Sequence, residues 1–458
     1  MWKHQQEAVE WARDRAAALL SLGMGCGKTR IALELLRLWL CRRVLVCCPL
    51  AVIPAWLKQA RLWFPEARVV LILKGNSTQK GEQIKEALSG DGPVIVVVNY
   101  ESAWRIGEIE KVRWDCLVYD EIHRLKSPSG AASRWAARMG KLNPEARRLG
   151  LSGTMISQRP LDAYGVWRAV ESPNLVTWGP TYTAFRNRYA IQGNPRIPQQ
   201  VTGWRNLDEF GTKVALTTFH RRSEDVLDLP EIMHDRIEVE MNAQEARVYR
   251  EIEREFCAVF EDGTVTPANV LVQLLRLLEI CGGAVHHDGN KDATVLSERP
   301  SKAAALAEIL EDLAEDEPVV VFCKYRADID AILRECEKLG RSASELSGRR
   351  NQLADWQAGK TSVLAANTAS GGVGVDLTRA AYGVFYSSGH SLAEYLQAVA
   401  RLHRPGQERT THFYSLVSTI NGNDTVDGQV YEALAAKKEV LDAIIGSYNG
   451  TQKSLGAA

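Results

Sequence analysis

SLGMGCGKTR, residues 21–30, stands between an apolar run (Ala16–Ser21) and an amphipathic one (Thr29–Cys41, TRIALELLRLWLC). A strand that ends in a glycine-rich turn and opens a helix is the context in which a loop can hold phosphate. Gly23, Gly25 and Gly27 remove side chains, so backbone N–H groups can turn inward around phosphate oxygens. A helix starting near Lys28 adds its positive N-terminal end. Lys28 is placed to neutralise the β- and γ-phosphates, and Thr29 to set its hydroxyl on Mg²⁺. The strict spacing puts a glycine four residues before the Gly-Lys pair, and this chain has Leu22 in that place. A glycine-rich turn with an incidental lysine is the weaker competing reading.

Outward from this loop the pattern is strand, loop, helix, repeated. Val44–Cys48, Val69–Leu73, Val94–Val98, Cys116–Tyr119 and Leu149–Leu151 are short apolar runs, as in strands buried on both faces of a parallel sheet. The alternation returns after Ser301 with Val319–Cys323, Val363–Ala366, Tyr382–Tyr386 and His412–Leu416. Residues 159–300 are mostly helical in pattern, broken at ESPNL, WGPTYT and QGNPRIPQQ. The expected fold class is α/β, with two parallel-sheet domains in tandem and helical insertions between them. The expected boundaries are 1–158 for the first core and 159–300 for helical protrusions and linker. A second core follows at 301–445, then a flexible tail at 446–458. Two such cores suggest a duplicated architecture with a cleft between them.

Two further segments carry chemistry. CLVYDEIH, residues 116–123, is an apolar strand ending in adjacent carboxylates. Asp120 suits the Mg²⁺ shell, and Glu121 suits orienting and deprotonating a water. An isolated Asp-Glu at a strand end is usually a solvated loop, but beside a phosphate loop in one α/β domain the catalytic reading prevails. QAVARLHRPGQER, residues 397–409, places Arg401 and Arg404 three apart, on one helical face. Two guanidiniums near a γ-phosphate would stabilise its developing charge. From this segment alone a solvated basic face reads equally well.

Composition sets limits. The 458 residues carry 56 Lys+Arg and 56 Asp+Glu, which excludes a polycationic chain without excluding a local basic groove. No two of the nine cysteines have Cys-x-x-Cys spacing, so they read as reduced core thiols. No apolar run approaches the ~20 residues of a membrane span, and the N-terminus has no signal-like core, so the expectation is a soluble, intracellular protein. Trp39, Trp56 and Trp63 lie in amphipathic segments and read as core. Arg147-Arg148, Arg221-Arg222 and Arg349-Arg350 are candidate basic patches, each more simply a solvated pair. His286-His287 lacks companion ligands and reads as a loop pair.

With these segments in place, the chain resembles the Swi/Snf-type ATPases of helicase superfamily 2, through nearly its whole length and in the family's order. HQQEAVEW is similar to the family's adenine-reading segment, with Gln5 in the key place. Ser21–Thr29, Val46–Trp56, Asn99–Glu101, Asp120–His123 and Leu151–Thr154 resemble its first-core motifs. FHRRSEDVLDLPE (219–231) and NVLVQLLRLLEIC (269–281) resemble segments that generic RNA helicases lack. Val319–Tyr325, Asn367–Thr378 and Gln397–Gln407 resemble the second-core motifs. Departures are Leu22-Gly23 in place of acidic residues, Ile122 in place of a small one, and Pro405 in place of an aliphatic one. None removes a phosphate, metal or arginine group. With no chromatin-reading or zinc appendage, the chain looks more like stand-alone phage or bacterial members.

The resemblance implies two RecA-like cores and ATP with Mg²⁺. ATP would meet Gln5, Gly25, Cys26, Gly27, Lys28, Thr29, Gly374 and Asp376, with Thr29 and Asp120 on the metal. Glu121, Arg401 and Arg404 would join Lys28 in catalysis. Ser152, Gly153, Thr154 and Gln407 would couple hydrolysis to DNA, which would be held near Pro49, Ala51, Tyr100, Lys324 and Thr368. The implied activity is an ATP-driven translocase on double-stranded DNA, acting as a monomer in a bacterial or phage-infected cytoplasm, or in a nucleus if the host is eukaryotic. The alternative is a strand-separating or branch-migrating helicase. A nucleotide-gated scaffold without motor output is disfavoured by the intact Lys28, Glu121 and arginines.

Overall fold

Runs of Val, Leu, Ile, Ala and Cys that are too short for helices form the two sheets. The structure is a computed structural model that describes residues 1–153, 159–171, 174, 177–193, 201–261, 267–285, 293–369 and 375–438. Among the described residues the chain divides into two units, one built on Met1–Asp228, the other on 229–369 with Val375–Ala436.

In the first unit the strands are β1 (Ala17–Leu22), β2 (Arg43–Cys48), β3 (Arg68–Ile72), β4 (Val94–Asn99), β5 (Cys116–Asp120), β6 (Arg147–Ser152), β7 (Ala190–Gln192), β8 (Val201–Trp204) and β9 (Thr218–Arg221). Seven form one sheet in the order β3-β4-β2-β5-β6-β1-β9, parallel at every pairing, while β7 and β8 make a separate antiparallel pair. Alternate residues serve opposite faces. Leu20, Val46, Val97 and Val118 pack with α1 (Lys3–Ala12), α2 (Lys28–Leu38) and α3 (Ile53–Trp63). Leu19, Leu45, Val96 and Leu117 pack on the other side with Trp135 and Trp167. Burying each such aliphatic side chain contributes about 1.5–3 kcal/mol, so the strands that carry the loops are rigid.

The second unit repeats this grammar. Its strands are β10 (Ile232–Glu240), β11 (Ala284–Val285), β12 (Thr294–Val295), β13 (Val319–Cys323), β14 (Ala343–Leu346), β15 (Val363–Asn367), β16 (Tyr382–Phe385), β17 (Thr411–Ile420) and β18 (Asn423–Asp424). The main sheet runs β10-β17-β16-β13-β15-β14, again parallel, with β18 antiparallel on β17. Val319, Val321 and Cys323 face one core cluster, and Val320 and Phe322 the other.

Residues 159–300, expected as helical protrusions and linker partly packed on both cores, also contribute strands to both sheets. The helices are present, among them Ala163–Glu171, Leu207–Thr217 and Ala243–Glu261. However, β9 closes the first sheet beside β1, and β10 pairs along β17 for nine residues in the second. The boundary therefore falls between Asp228 and Leu229. Both strands lie at sheet edges, where one side needs no neighbour and the sequence is half polar (TFHR, IMHDRIEVE), so the apolar-run signal is missing. The tail 446–458 and His286-His287 lie outside the described residues.

Eight cysteines are free and buried, and Cys257 lies outside the described side chains. Trp56 is fully buried, whereas Trp63 is exposed, with the Arg30 guanidinium over its ring at 4.1 Å. No helix among the described residues is long and apolar enough to cross a membrane. In the second unit Lys302 is buried to 1% exposure, donating to Asp427 and to the Tyr386 carbonyl at 2.8 Å. Replacing Asp427 by Ala would leave that ammonium without its counter-charge, which costs about 3–5 kcal/mol in such sites. The expected outcome for D427A is a matching fall in the denaturant midpoint of the second unit, and a loss below about 1 kcal/mol would contradict the pairing.

Candidate functional site

The turn from β1 into α2 is shaped by two glycines in the left-handed region, Gly25 at φ 80° and Gly27 at φ 79°, where a Cβ is strained. Gly27 is the residue before α2, and the first-turn N–H groups that follow it have no intrahelical partner. A Cβ at Gly27 would also strike the Gln5 amide. Gln5, buried on α1, donates through Nε2 to the Cys26 carbonyl at 3.2 Å and accepts from the Trp2 N–H at 3.1 Å. His4 Nε2 lies 3.0 Å from the same carbonyl. The α1 helix thus grips the loop from one side and turns a loop carbonyl away from the anion site. Lys28 Nζ folds back onto the Leu22 carbonyl at 3.1 Å and the Gly23 carbonyl at 3.5 Å. Gly153, at the end of β6, comes within contact of Lys28: a Cβ there would stand 3.8 Å from Nζ.

Asp120 ends β5 and is buried. Its Oδ2 accepts from the Trp56 indole N–H at 2.9 Å, its Oδ1 from the Glu121 N–H at 3.0 Å, and its carbonyl from the Tyr100 hydroxyl at 2.8 Å. Burial and then the Glu121 charge push its carboxyl up to about 6, against the pull of the Trp56 bond and Lys28. Glu121 takes a left-handed backbone, φ 51° and ψ 51°, which costs a non-glycine residue about 1–3 kcal/mol. Burial would raise its carboxyl, but the His123 hydrogen bond, the Lys28 charge and Ser152 outweigh it and hold it below the usual range. His123 Nδ1 sits 3.2 Å from Glu121 Oε2 and 3.1 Å from Ser152 Oγ, and Ser152 donates to the same carboxylate at 3.4 Å. The two neighbouring carboxyls are thus driven apart, one toward neutrality and one toward a standing charge, as acid–base pairs with distinct duties are.

In the second unit the helix Leu392–Leu402 ends before Arg404, so the two arginines do not share a helical face. The solvated reading of Arg401 also fails, since it is only 2% exposed. Its Nε and one terminal nitrogen have no partner among the described residues, and burial lowers its guanidinium to about 10, still charged at neutral pH. Arg404 reaches the Val375 carbonyl at 3.4 Å, and its Nε is buried without a partner among the described residues. Asp376 is exposed, with Oδ1 taken by the Thr378 N–H and hydroxyl at 3.0 and 2.8 Å. Gln407 donates to the carbonyls of Thr378, Ala380 and Leu402, which ties the segment after β15 to the one after the arginine helix. Gly374 and Thr154 lie outside the described residues.

Among the expected DNA contacts, Tyr100 is corrected: it is 3% exposed, with its hydroxyl committed to Asp120. Pro49 is buried too, and the exposed residue of that turn is Leu50. Ala51 lies in the same short turn. Lys324 and Thr368 come together at the ends of β13 and β15: the Thr368 N–H bonds the Cys323 carbonyl at 2.9 Å, and Asn367 bonds the Lys324 carbonyl at 2.8 Å. Sequence reasoning did not find the parts played by Trp56, His4 and His123. For Trp56 a signal existed, since a buried indole N–H needs an acceptor.

The SNF2-related domain family matches residues 4–284, and the helicase conserved C-terminal domain matches residues 301–406. The chain is similar to protein p41 of Acyrthosiphon pisum secondary endosymbiont phage 1, 26% identical over 92% of this chain and 93% of that one. It is also similar to the DNA repair and recombination protein RAD54B of Gallus gallus, 23% identical over 96% of this chain and 54% of that one. It therefore spans nearly all of the phage relative and about half of RAD54B. The Pyrococcus furiosus Hef helicase domain shares the fold, with TM-score 0.58 and 15% identity over 94% of this chain and 98% of that domain.

If Asp120 serves nucleotide hydrolysis as a cation ligand, a carboxyl raised to about 6 predicts an acid limb. As pH falls through that value Asp120 takes up a proton and loses affinity for a cation. The expected outcome is a kcat/KM that declines below about pH 6, with the limb moving to lower pH as Mg²⁺ is raised, because metal and proton compete. Trp56→Phe removes a bond that favours the ionised form and should move the limb to higher pH. Superimposable pH profiles for wild type and W56F would refute the assignment.

Proposed function

Because this chain belongs to the SNF2-related domain family and is an ATP-hydrolysing enzyme of helicase superfamily 2, we propose that it couples ATP hydrolysis to movement along double-stranded DNA. The observation that carries the reading is the meeting of the Ser21–Arg30 loop, Lys28, Asp120, Glu121 and Gly153 at the ends of β1, β5 and β6. The loop N–H groups and Lys28 bind the phosphates. Each oxygen of the Asp120 carboxylate accepts one protein hydrogen bond and keeps acceptor capacity. The Asp120 carboxylate, the Thr29 hydroxyl and water would hold Mg²⁺. Bound there, Mg²⁺ would neutralise phosphate charge. Glu121, kept ionised, receives the proton of the attacking water, and His123 and Ser152 fix its orientation. The family resemblance assigns the guanidiniums of Arg401 and Arg404 to the charge that develops on a transferred phosphoryl group. DNA contacts at Lys324, Thr368 and the Pro49–Ala51 turn would be largely to the backbone and sensitive to salt.

The test is ATP turnover across blunt duplex, single-stranded DNA, branched DNA and RNA, joined to a triplex-displacement assay. Duplex should stimulate most, and triplex should be displaced only with ATP. Lys28→Ala should reduce turnover to background while sparing most DNA affinity, and Arg401→Ala should lower kcat about 10³-fold or more. Stronger stimulation by forks than by duplex would favour strand separation or branch migration instead. Turnover indifferent to every nucleic acid would overturn the reading.

A further inference from the structure

Part of the stretch Phe219–Glu231 has no part in the chemistry above, yet it lies directly against the phosphate loop. The Gly23 N–H donates to the Arg221 carbonyl at 3.0 Å. Ser223 Oγ donates to the Met24 carbonyl at 3.0 Å and lies 3.7 Å from the Cys26 sulfur. A Cβ on Gly23 would stand 2.6 Å from the Ser223 N and closer still to its hydroxyl. Arg221 and Ser223 therefore contact loop positions 23, 24 and 26. The Arg221 guanidinium meets Glu7 of α1 at 3.0 Å, so the same stretch is tied to the helix that carries Gln5.

This arrangement explains the departure at Leu22. In the strict spacing a glycine occupies that place. Here Leu22 is a buried strand residue paired with Arg221, and the position where no side chain fits has moved to Gly23, under Ser223. A loop that binds an anion must also keep its carbonyls turned away. Gln5 and His4 do this for Cys26, and Ser223 does it for Met24.

We infer that Ser223 is a positioning residue of the nucleotide site: its hydroxyl holds the Met24 carbonyl outward and closes over Gly23, which sets the loop's N–H groups toward the phosphates before nucleotide arrives. The inference rests on the reading of Ser21–Arg30 as the phosphate loop. Ser223→Ala removes the hydroxyl and leaves the packing. Losing one such bond is worth about a two- to tenfold change in an equilibrium. Titration of the full chain with a fluorescent ADP analogue and Mg²⁺, without DNA, should show S223A binding about two- to tenfold more weakly, with a parallel rise in KM for ATP. The loss should fall on KM far more than on kcat, with an unfolding midpoint near that of wild type. Ser223→Thr, which keeps the hydroxyl, should restore the affinity. Unchanged ADP affinity in S223A overturns the inference, as does a loss that follows the unfolding midpoint and is not rescued in S223T. Failure of the wild-type chain to bind ADP would instead overturn the phosphate-loop reading itself.

Discussion

An anion site built from backbone requires that donors be free and acceptors be held aside, and in the turn between β1 and α2 the Met24 and Cys26 carbonyls are held by side chains outside the turn. Gly25 and Gly27 allow the left-handed turns, and the strand before them and the helix after them are fixed in two apolar layers. Three neighbours then hold the loop's carbonyls and its close approach. Gln5 and His4 of α1 secure Cys26, Ser223 secures Met24, and the end of β6 stands beside Lys28 through Gly153. The first sheet is ordered so that β1 lies between β6 and β9. That order places these partners next to the loop, so the topology and the chemistry have one cause.

The adjacent carboxyls at the end of β5 follow from the same layout. Asp120 is the last residue of a fully buried strand, so its carboxyl suffers desolvation and its ionised form is held by the Trp56 bond. One residue on, the chain turns left-handed at Glu121, which swings that side chain toward His123 and Ser152. The strained backbone thus converts two neighbours in sequence into groups with separate surroundings. Trp56 belongs to the helix after β2, which neighbours β5 in the sheet, so the Asp120 carboxylate is steadied by the strand order again.

Much of this was legible in the sequence wherever a residue answers to local physics. Both-face burial produces uninterrupted apolar runs, and ten strands could be placed from them. The glycines, Lys28 and the carboxylate pair stand out because their spacing is tied to a strand end. The edge strands β9 and β10 were not legible, because an edge needs apolar residues on fewer sides and leaves a mixed pattern. The partnerships of Trp56 with Asp120 and of Ser223 with Met24 join residues 64 and 199 positions apart. Nothing in spacing reveals such pairs before the sheet order is known. Tyr100 shows the converse: its place in a motif suggested an exposed contact, while its hydroxyl is used inside the unit.

Arg401 shows how far physics alone leads. A buried guanidinium with N–H groups unpartnered among the described residues costs stability. Burial lowers its proton affinity, yet about 10 still leaves it fully charged near pH 7. The side chain therefore carries a positive charge near pH 7, and its Nε and one terminal nitrogen have no partner among the described residues. Asp376, with the Oδ1 of its carboxylate held by Thr378, lies just before Leu377, whose N–H bonds the Arg401 carbonyl at 3.1 Å. A charge kept buried in this way, beside a segment tied by Thr378 and Leu377, is the kind of perturbed group that marks a candidate functional position.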